Sequence, residues 1–273
     1  MGYRLVAFSI LLLSLISATG SILGFMLRGL SGIFYGFVLS FLLSLLTILL
    51  LYRYSPLIIL KTYHAKPLKD DKVKELNEIL KPLCLNAGIN KLPEIYIVPM
   101  DNPNAFSTGW GRDKAIICVT AGLLTMDREE IRSVFSHEIW HIRNKDILIQ
   151  SVAAVVSKIL ASTIILMPFA VLFTHLSLSP VREYRADYYG VRYAKDSKKL
   201  AETVKKMNEI AIEFPLDGFA CMSCLWIVNP YTRTGINAWF NTHPPTARRV
   251  KRIKDMEHKG MPEPPVLTEI DLD

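Results

Sequence analysis

The stretch "FSHEIWH", residues 135–141, sets two histidines four positions apart with a glutamate directly after the first. Around it Ile131, Val134, Phe135, Ile139 and Ile142 recur at helical spacing, and Asp127 with Glu130 fits a capping box that would start the helix. On such a helix His137 and His141 lie one turn apart on a shared face. Two histidines so placed supply two of the three protein ligands that a catalytic zinc ion takes, with one position left for water. Glu138, beside the first, is then placed to take a proton from that water. The bland alternative is a chance spacing on an amphipathic helix, so the reading needs a third ligand.

That ligand is expected at Glu183 in "VREYRADYYG" (181–190), where Asp187 follows one helical turn later. A glutamate ligand with an aspartate behind it suits a two-histidine, one-glutamate site, the aspartate accepting the second ring proton of a ligand histidine. A solvated charged helix is the alternative for this segment taken alone.

Outward from these motifs, the chain of 273 residues is 51% hydrophobic, and the apolar residues are clustered. Neither Leu5–Leu27 nor Gly29–Tyr52 carries a charge, and each run is long enough to cross roughly 30 Å of hydrocarbon as a helix. A cleaved signal peptide is the alternative for the first run, which however extends past the roughly 7–15 apolar residues of a signal core. Arg53, Lys61, Lys66, Lys69, Lys72 and Lys74 follow the second run, whereas only Arg28 lies between the two, so everything after Tyr52 is expected in the cytoplasm. The formal charge of +7 gathers largely beside that span. It therefore suits the headgroups of a lipid bilayer, and no nucleic acid partner is expected.

A third apolar stretch runs from Asp146 to Arg182, with Lys158 as its one lysine or arginine. A single crossing here would put His137 and Glu183 on opposite sides of the membrane, and no shared metal site could form. The zinc reading thus requires an even number of crossings: a helical hairpin, two short spans, or no full crossing. A hairpin over about 147–181 that dips into, or packs along, the cytoplasmic leaflet is the expected form, with Pro168 as the break.

Between spans and motifs, "DDKVKELNEILKPLC" (70–84) reads as a helix with Val73, Leu76, Leu80, Leu83 and Cys84 on one face, Asp70 or Asp71 as N-cap, and Pro82 kinking or shortening it. "PEIYIVPM" (93–100), "AFSTGW" (105–110) and "AIICVT" (115–120) read as strands, the last two around the turn "GRDK". Cys221 and Cys224 form one C-x-x-C in the apolar setting "FACMSCLWIV". We expect reduced, packed thiols there, against the alternative of a thiol oxidoreductase. His64, His175 and His258 read as surface or packing residues, and "RRVKRIKDMEHK" (248–259) as a solvated helix face.

At "NAFSTG" (104–109), "HEIWHIRNKD" (137–146), "REYRAD" (182–187), "IVNP" (227–230) and "THPPTARR" (242–249) the chain resembles the HtpX-like membrane zinc metalloproteases, relatives of the eukaryotic CAAX prenyl proteases. The match covers nearly all of the chain after the spans. The resemblance implies an α+β fold: a mainly helical integral membrane protein with a small β-sheet and a zincin catalytic domain of gluzincin type. It implies one zinc ion on His137, His141 and Glu183, Glu138 as the catalytic glutamate, Asp187 behind the ligands, and His243 near the site. Asn104, Ala105 and Phe106 would offer a strand edge to an extended substrate. His243 is the expected donor to the oxyanion, with Arg248 or Arg249 as alternatives. Residues 1–54 would form a transmembrane hairpin, 55–262 a cytoplasmic metallopeptidase domain, and 263–273 a mobile tail. The implied activity is endoproteolysis of misfolded or damaged membrane proteins at the cytoplasmic face of the cell membrane, in quality control. A prenyl-peptide substrate suits so compact a chain less well. The apolar segment before Glu183 is shorter than the two full spans of close bacterial relatives. The rival from another class is a catalytically silent adaptor of the same fold, though such a protein would have no use for Glu138.

Overall fold

The two charge-free runs form long helices, α1 (Gly2–Arg28) and α2 (Leu30–Thr62), in a computed structural model that describes residues 2–258 apart from 70, 178, 217, 219 and 233. Gly29 joins them in the left-handed conformation at φ 64°, its N–H donating to Phe25 O at 2.8 Å, which terminates α1 and turns the chain back. The returning backbones touch. A Cβ on Gly24 would lie 2.1 Å from Gly32 O, and one on Gly36 would lie 2.2 Å from Gly20 O. Small residues at these positions let apolar helices approach where burial from water contributes nothing. Both helices are long and apolar enough to cross a membrane.

The chain divides into two compact units, one reaching to Leu57 and one starting at Ile58. The second unit carries a four-stranded sheet of β1 (Lys66–Pro67), β2 (Glu94–Val98), β3 (Ala105–Gly109) and β4 (Ala115–Thr120), in the order β1-β2-β4-β3. β3 and β4 form the expected antiparallel hairpin, Phe106 opposite Cys118, while β2 runs parallel to β4. The two-residue β1 escaped the sequence reading because its only apolar residue is a proline. α3 (Asp71–Ala87) buries Leu76, Ile79, Leu80, Leu83 and Cys84. It continues through Pro82 without being shortened there, and its N-cap position, 70, lies outside the described residues.

α4 (Arg128–Arg143) is the central helix, packed between α3, β3, α7 (Pro180–Ala194) and α8 (Ser197–Glu213). Its start is the expected capping box: Asp127 accepts from Glu130 N at 2.8 Å, and Glu130 accepts from Asp127 N at 3.0 Å. Ile131, Val134, Phe135, Ile139 and Ile142 are all buried in the main core.

The third apolar stretch is not one helix. α5 (Ile147–Leu160) and α6 (Met167–Ser177) pack against each other, joined through residues 161–166, so Pro168 falls in the first turn of α6, where a proline is tolerated. At 1.5 Å per residue they are roughly 21 and 17 Å long, short of the roughly 30 Å of a bilayer core. Residues 164–194 have the length and hydropathy of a span, yet they comprise α6 and the separate α7, and α7 buries Arg182, Glu183 and Asp187 inside the second unit. Lys158, the charge within the stretch, donates to Thr62 Oγ1 at 2.9 Å. α9 (Thr246–His258) closes the fold against α8, and residues 263–273, expected as a tail, lie outside the described residues.

Candidate metal centre

Helical spacing on α4 places His137 and His141 one turn apart, and α7 crosses beside them with Glu183 in its first turn. The two imidazole Nε2 atoms are 3.2 Å apart. Glu183 Oε1 lies 3.4 Å from His141 Nε2, and Oε2 lies 3.6 Å from His137 Nε2. Among the described residues these three are the one His/Cys/Asp/Glu group whose ligand atoms converge closely enough to hold a metal ion.

The surroundings fix which atoms face the centre. Burial alone would raise the Asp187 carboxyl, but Arg249 outweighs it and holds Asp187 below the usual carboxylate range. Asp187 is therefore an acceptor, and His137 Nδ1 donates to its Oδ1 at 3.0 Å. The Nε2 lone pair of His137 is left facing the centre. Arg249 is fully buried and donates to both Asp187 oxygens at 2.7 and 2.8 Å, and to Ile227 O at 2.7 Å. Asp146 approaches His141 Nδ1 at 3.5 Å from the other side.

Two ring nitrogens and a carboxylate this close, out of water, must share a positive charge. Burial pulls the His141 pKa down, but Asp146 and Glu183 outweigh it and raise it to about 10. Glu183 is held well below its ordinary value: burial opposes ionisation, and His141 and His243 override it. Without an ion, a proton answers this need. Glu183 Oε2 has no hydrogen-bond partner among the described residues. A tetrahedral ion with ligands at about 2.0–2.2 Å needs them about 3.3–3.6 Å apart, and the separations here, each ring nitrogen taken to its nearer carboxylate oxygen, are close to that.

Glu138 points to a different neighbour: Ser107 Oγ on β3 donates to its Oε2 at 2.7 Å, and both residues are buried. His243 lies beside the cluster, Nδ1 3.4 Å from Glu183 Oε2, with Nε2 donating to Ser223 O at 3.0 Å. Arg248 is exposed, and Arg249 is engaged with Asp187.

Asn104, Ala105 and Phe106, expected to offer an edge to substrate, are occupied internally. Asn104 Nδ2 donates to Val228 O at 2.7 Å, Ala105 O accepts from Ile227 N at 3.1 Å, and the Phe106 ring packs 5.4 Å from Tyr63 and 4.7 Å from Trp226. The "IVNP" segment thus lies along the start of β3, a long-range pairing with no local signal in the sequence. Asp146, Arg182 and Ser107 also went unread. Ser107 shares the inward face of β3 with Ala105, and a hydroxyl at such a position is the one hint the sequence carries.

Cys221 and Cys224 sit buried in the 3-10 turn Ala220–Leu225. Burial pushes the Cys221 thiol up to about 11, leaving little thiolate at neutral pH for exchange chemistry. His64 and His175 are exposed, His175 facing Trp239 O at 3.0 Å, and the side chain of His258 lies outside the described residues.

Residues 70–257 match the model of Peptidase family M48. A "Protease HtpX homolog" of Desulfatibacillum aliphaticivorans is 32% identical over 276 aligned residues, covering 90% of this chain and 87% of that protein. One from Pyrococcus abyssi is 34% identical, covering 86% and 94%. Among solved structures, S. mikatae Ste24p aligns at TM-score 0.45 and 15% identity, over 78% of this chain and 57% of that one. The chain belongs to peptidase family M48, as an HtpX-like membrane metalloprotease.

Proposed function

We propose that the chain is a zinc endopeptidase of the HExxH type with a downstream glutamate ligand, cutting misfolded or damaged membrane proteins at the cytoplasmic face of the cell membrane. The supporting observation is the pairing of a three-ligand cluster, His137, His141 and Glu183, with a glutamate that is not a ligand, Glu138, held by Ser107. A purely structural metal site has no use for that fourth group.

When bound, zinc supplies a Lewis acid that brings the pKa of water towards roughly 7 and polarises a carbonyl. Glu138 takes the proton released when water attacks the scissile carbonyl and delivers it to the leaving amine. His243 meets the developing oxyanion with a proton on Nδ1, its Nε2–H already donating to Ser223 O. His137 and His141 present Nε2, Glu183 its carboxylate, and Asp187 holds the His137 ring in the required tautomer. Ala105 O points away from β4, so by the alternation of an antiparallel pair the backbone groups of Ser107 and Gly109 do so too. We assign the substrate-pairing edge to that end of the strand, where a bound chain lies beside Glu138. β3 is buried throughout, so substrate reaches it only when the elements that cover it move aside.

The basic residues past α2 favour a cytoplasmic catalytic unit. In this topology residues 1–54 form the transmembrane hairpin, 55–262 the peptidase domain, and α5–α6 a hairpin that enters one leaflet and returns. The apolar side chains at its tip support this, with Ile164 and Ile165 83% and 85% exposed.

The deciding experiment is Glu138→Gln. Cleavage of an unfolded substrate such as casein should stop while bound zinc, measured by metal analysis, stays at one per chain. A Glu138→Gln protein that cleaves at the wild-type rate removes Glu138 from this role. Zinc-free wild-type protein refutes the metal assignment.

A further inference from the structure

Asp146 is a buried carboxylate that the mechanism above does not use. Its exposure is 0%, and the chain reaches it through an unfavourable turn: Lys145, just past the end of α4, has φ 59°. A lysine rarely takes this left-handed conformation. The turn lets Asp146 N donate to His141 O at 3.0 Å and swings the side chain back beneath the ligand histidine. Oδ2 accepts from Asn144 Nδ2 at 2.8 Å and lies 3.5 Å from His141 Nδ1. Oδ1 lies 3.1 Å from Arg182 Nη2, and Arg182 immediately precedes Glu183. Across the centre, Arg249, Asp187 and His137 are joined in the same order.

We infer that Asp146 is the positioning residue for His141 and that Arg182 holds Asp146 in place, so that two arginine–aspartate–histidine chains approach the metal from opposite sides. The inference rests on the zinc reading of His137, His141 and Glu183. Flanked by an amide donor and a guanidinium, the Asp146 carboxylate is an acceptor, so the ring proton of His141 belongs on Nδ1 and the lone pair on Nε2. The 3.5 Å separation is longer than a full hydrogen bond. It shortens when an ion on Nε2 draws charge from the ring and makes Nδ1–H a stronger donor. The Asp146–Arg182 pair has a second effect: it ties the start of α7 to the end of α4, beside the ligands each helix carries.

The test is zinc affinity of the full-length, detergent-solubilised protein, measured by competition with a chromophoric chelator. The proteins compared are wild type, Asp146→Asn, Asp187→Asn and the double variant Asp146→Asn/Arg182→Gln. Asp146→Asn should weaken zinc binding about 10- to 100-fold, and Asp187→Asn should do the same. The double variant, which also removes the stranded guanidinium, should regain thermal stability but not zinc affinity, and it carries the test if the single variant folds poorly. Wild-type affinity in Asp146→Asn, or restored affinity in the double variant, overturns the inference by showing that the pair serves folding alone. A wild-type protein that binds no zinc overturns the metal reading itself, and this inference with it.

Discussion

Ser107, one hydroxyl on the inner face of β3, decides where the Glu138 carboxylate points. A hydrogen bond to an ionised acceptor contributes about 1.5–3 kcal/mol, and one tenfold step in rate is about 1.4 kcal/mol. We therefore expect Ser107→Ala to lower kcat roughly tenfold or more, with KM and bound zinc nearly unchanged, as steady-state kinetics and metal analysis would reveal. Asp187 carries a pH dependence of definite sign. Its folded pKa is held down by Arg249 against the opposing effect of burial, so its contribution to stability is in force above the unfolded value of about 3.9 and disappears as pH falls through the folded one. In metal-free protein the thermal midpoint of wild type should exceed that of Asp187→Asn at pH 7, and the gap should close as pH is lowered from about 4 towards 2. A gap that stays constant over that range would show that Arg249 and Asp187 interact without lowering the Asp187 pKa. His137, Glu138, His141 and Glu183 were legible as residue types at fixed spacing. Ser107 and Asp146 were not, because their partners lie across the fold or behind an irregular turn.

The helices owe their boundaries to a few local contacts. α7 ends at Lys195, held at φ 57° with its N–H donating to Val191 O at 2.7 Å. Glycine takes this conformation without the roughly 1–2 kcal/mol that a side chain costs there. Lys195→Gly should raise the thermal midpoint in detergent by a few degrees with activity unchanged. The α1–α2 hairpin has the opposite sensitivity. With a Cβ on Gly24 falling 2.1 Å from the Gly32 carbonyl, Gly24→Val forces the backbones apart. Overpacking of this kind typically costs about 1–3 kcal/mol. Lower yield and a lower thermal midpoint of the membrane-extracted protein should follow, whereas Leu27→Val, at an exposed position, should change neither.

For the whole molecule, the consequence of the fold is that α4 and α7 share one compartment although a strongly apolar stretch separates them in sequence. The four native cysteines are buried, so cysteines introduced at exposed sites report sidedness cleanly. Glu129→Cys, at the start of α4, and Lys195→Cys, after α7, should react with an impermeant maleimide from the same side of sealed vesicles. Ile165→Cys, at the tip of the α5–α6 hairpin, should resist labelling until detergent is added. Modification of positions 129 and 195 from opposite sides would be incompatible with a common metal centre.

The sequence by itself determined the features set by local pattern: two long apolar helices from their charge-free length, the capping box and face of α4 from 3.6-residue periodicity, and the residue types of the His/His/Glu cluster from HExxH with a later glutamate. Only the tertiary structure decided what depends on contacts between distant segments. It laid residues 227 and 228 against the start of β3, where they occupy Asn104 and Ala105. It also folded residues 147–177 back on themselves and brought Arg182 and Arg249 beneath the carboxylates flanking the histidines. A composition or a spacing records which groups are present, but a buried ion pair exists only once packing has removed both partners from water and set them within reach of each other.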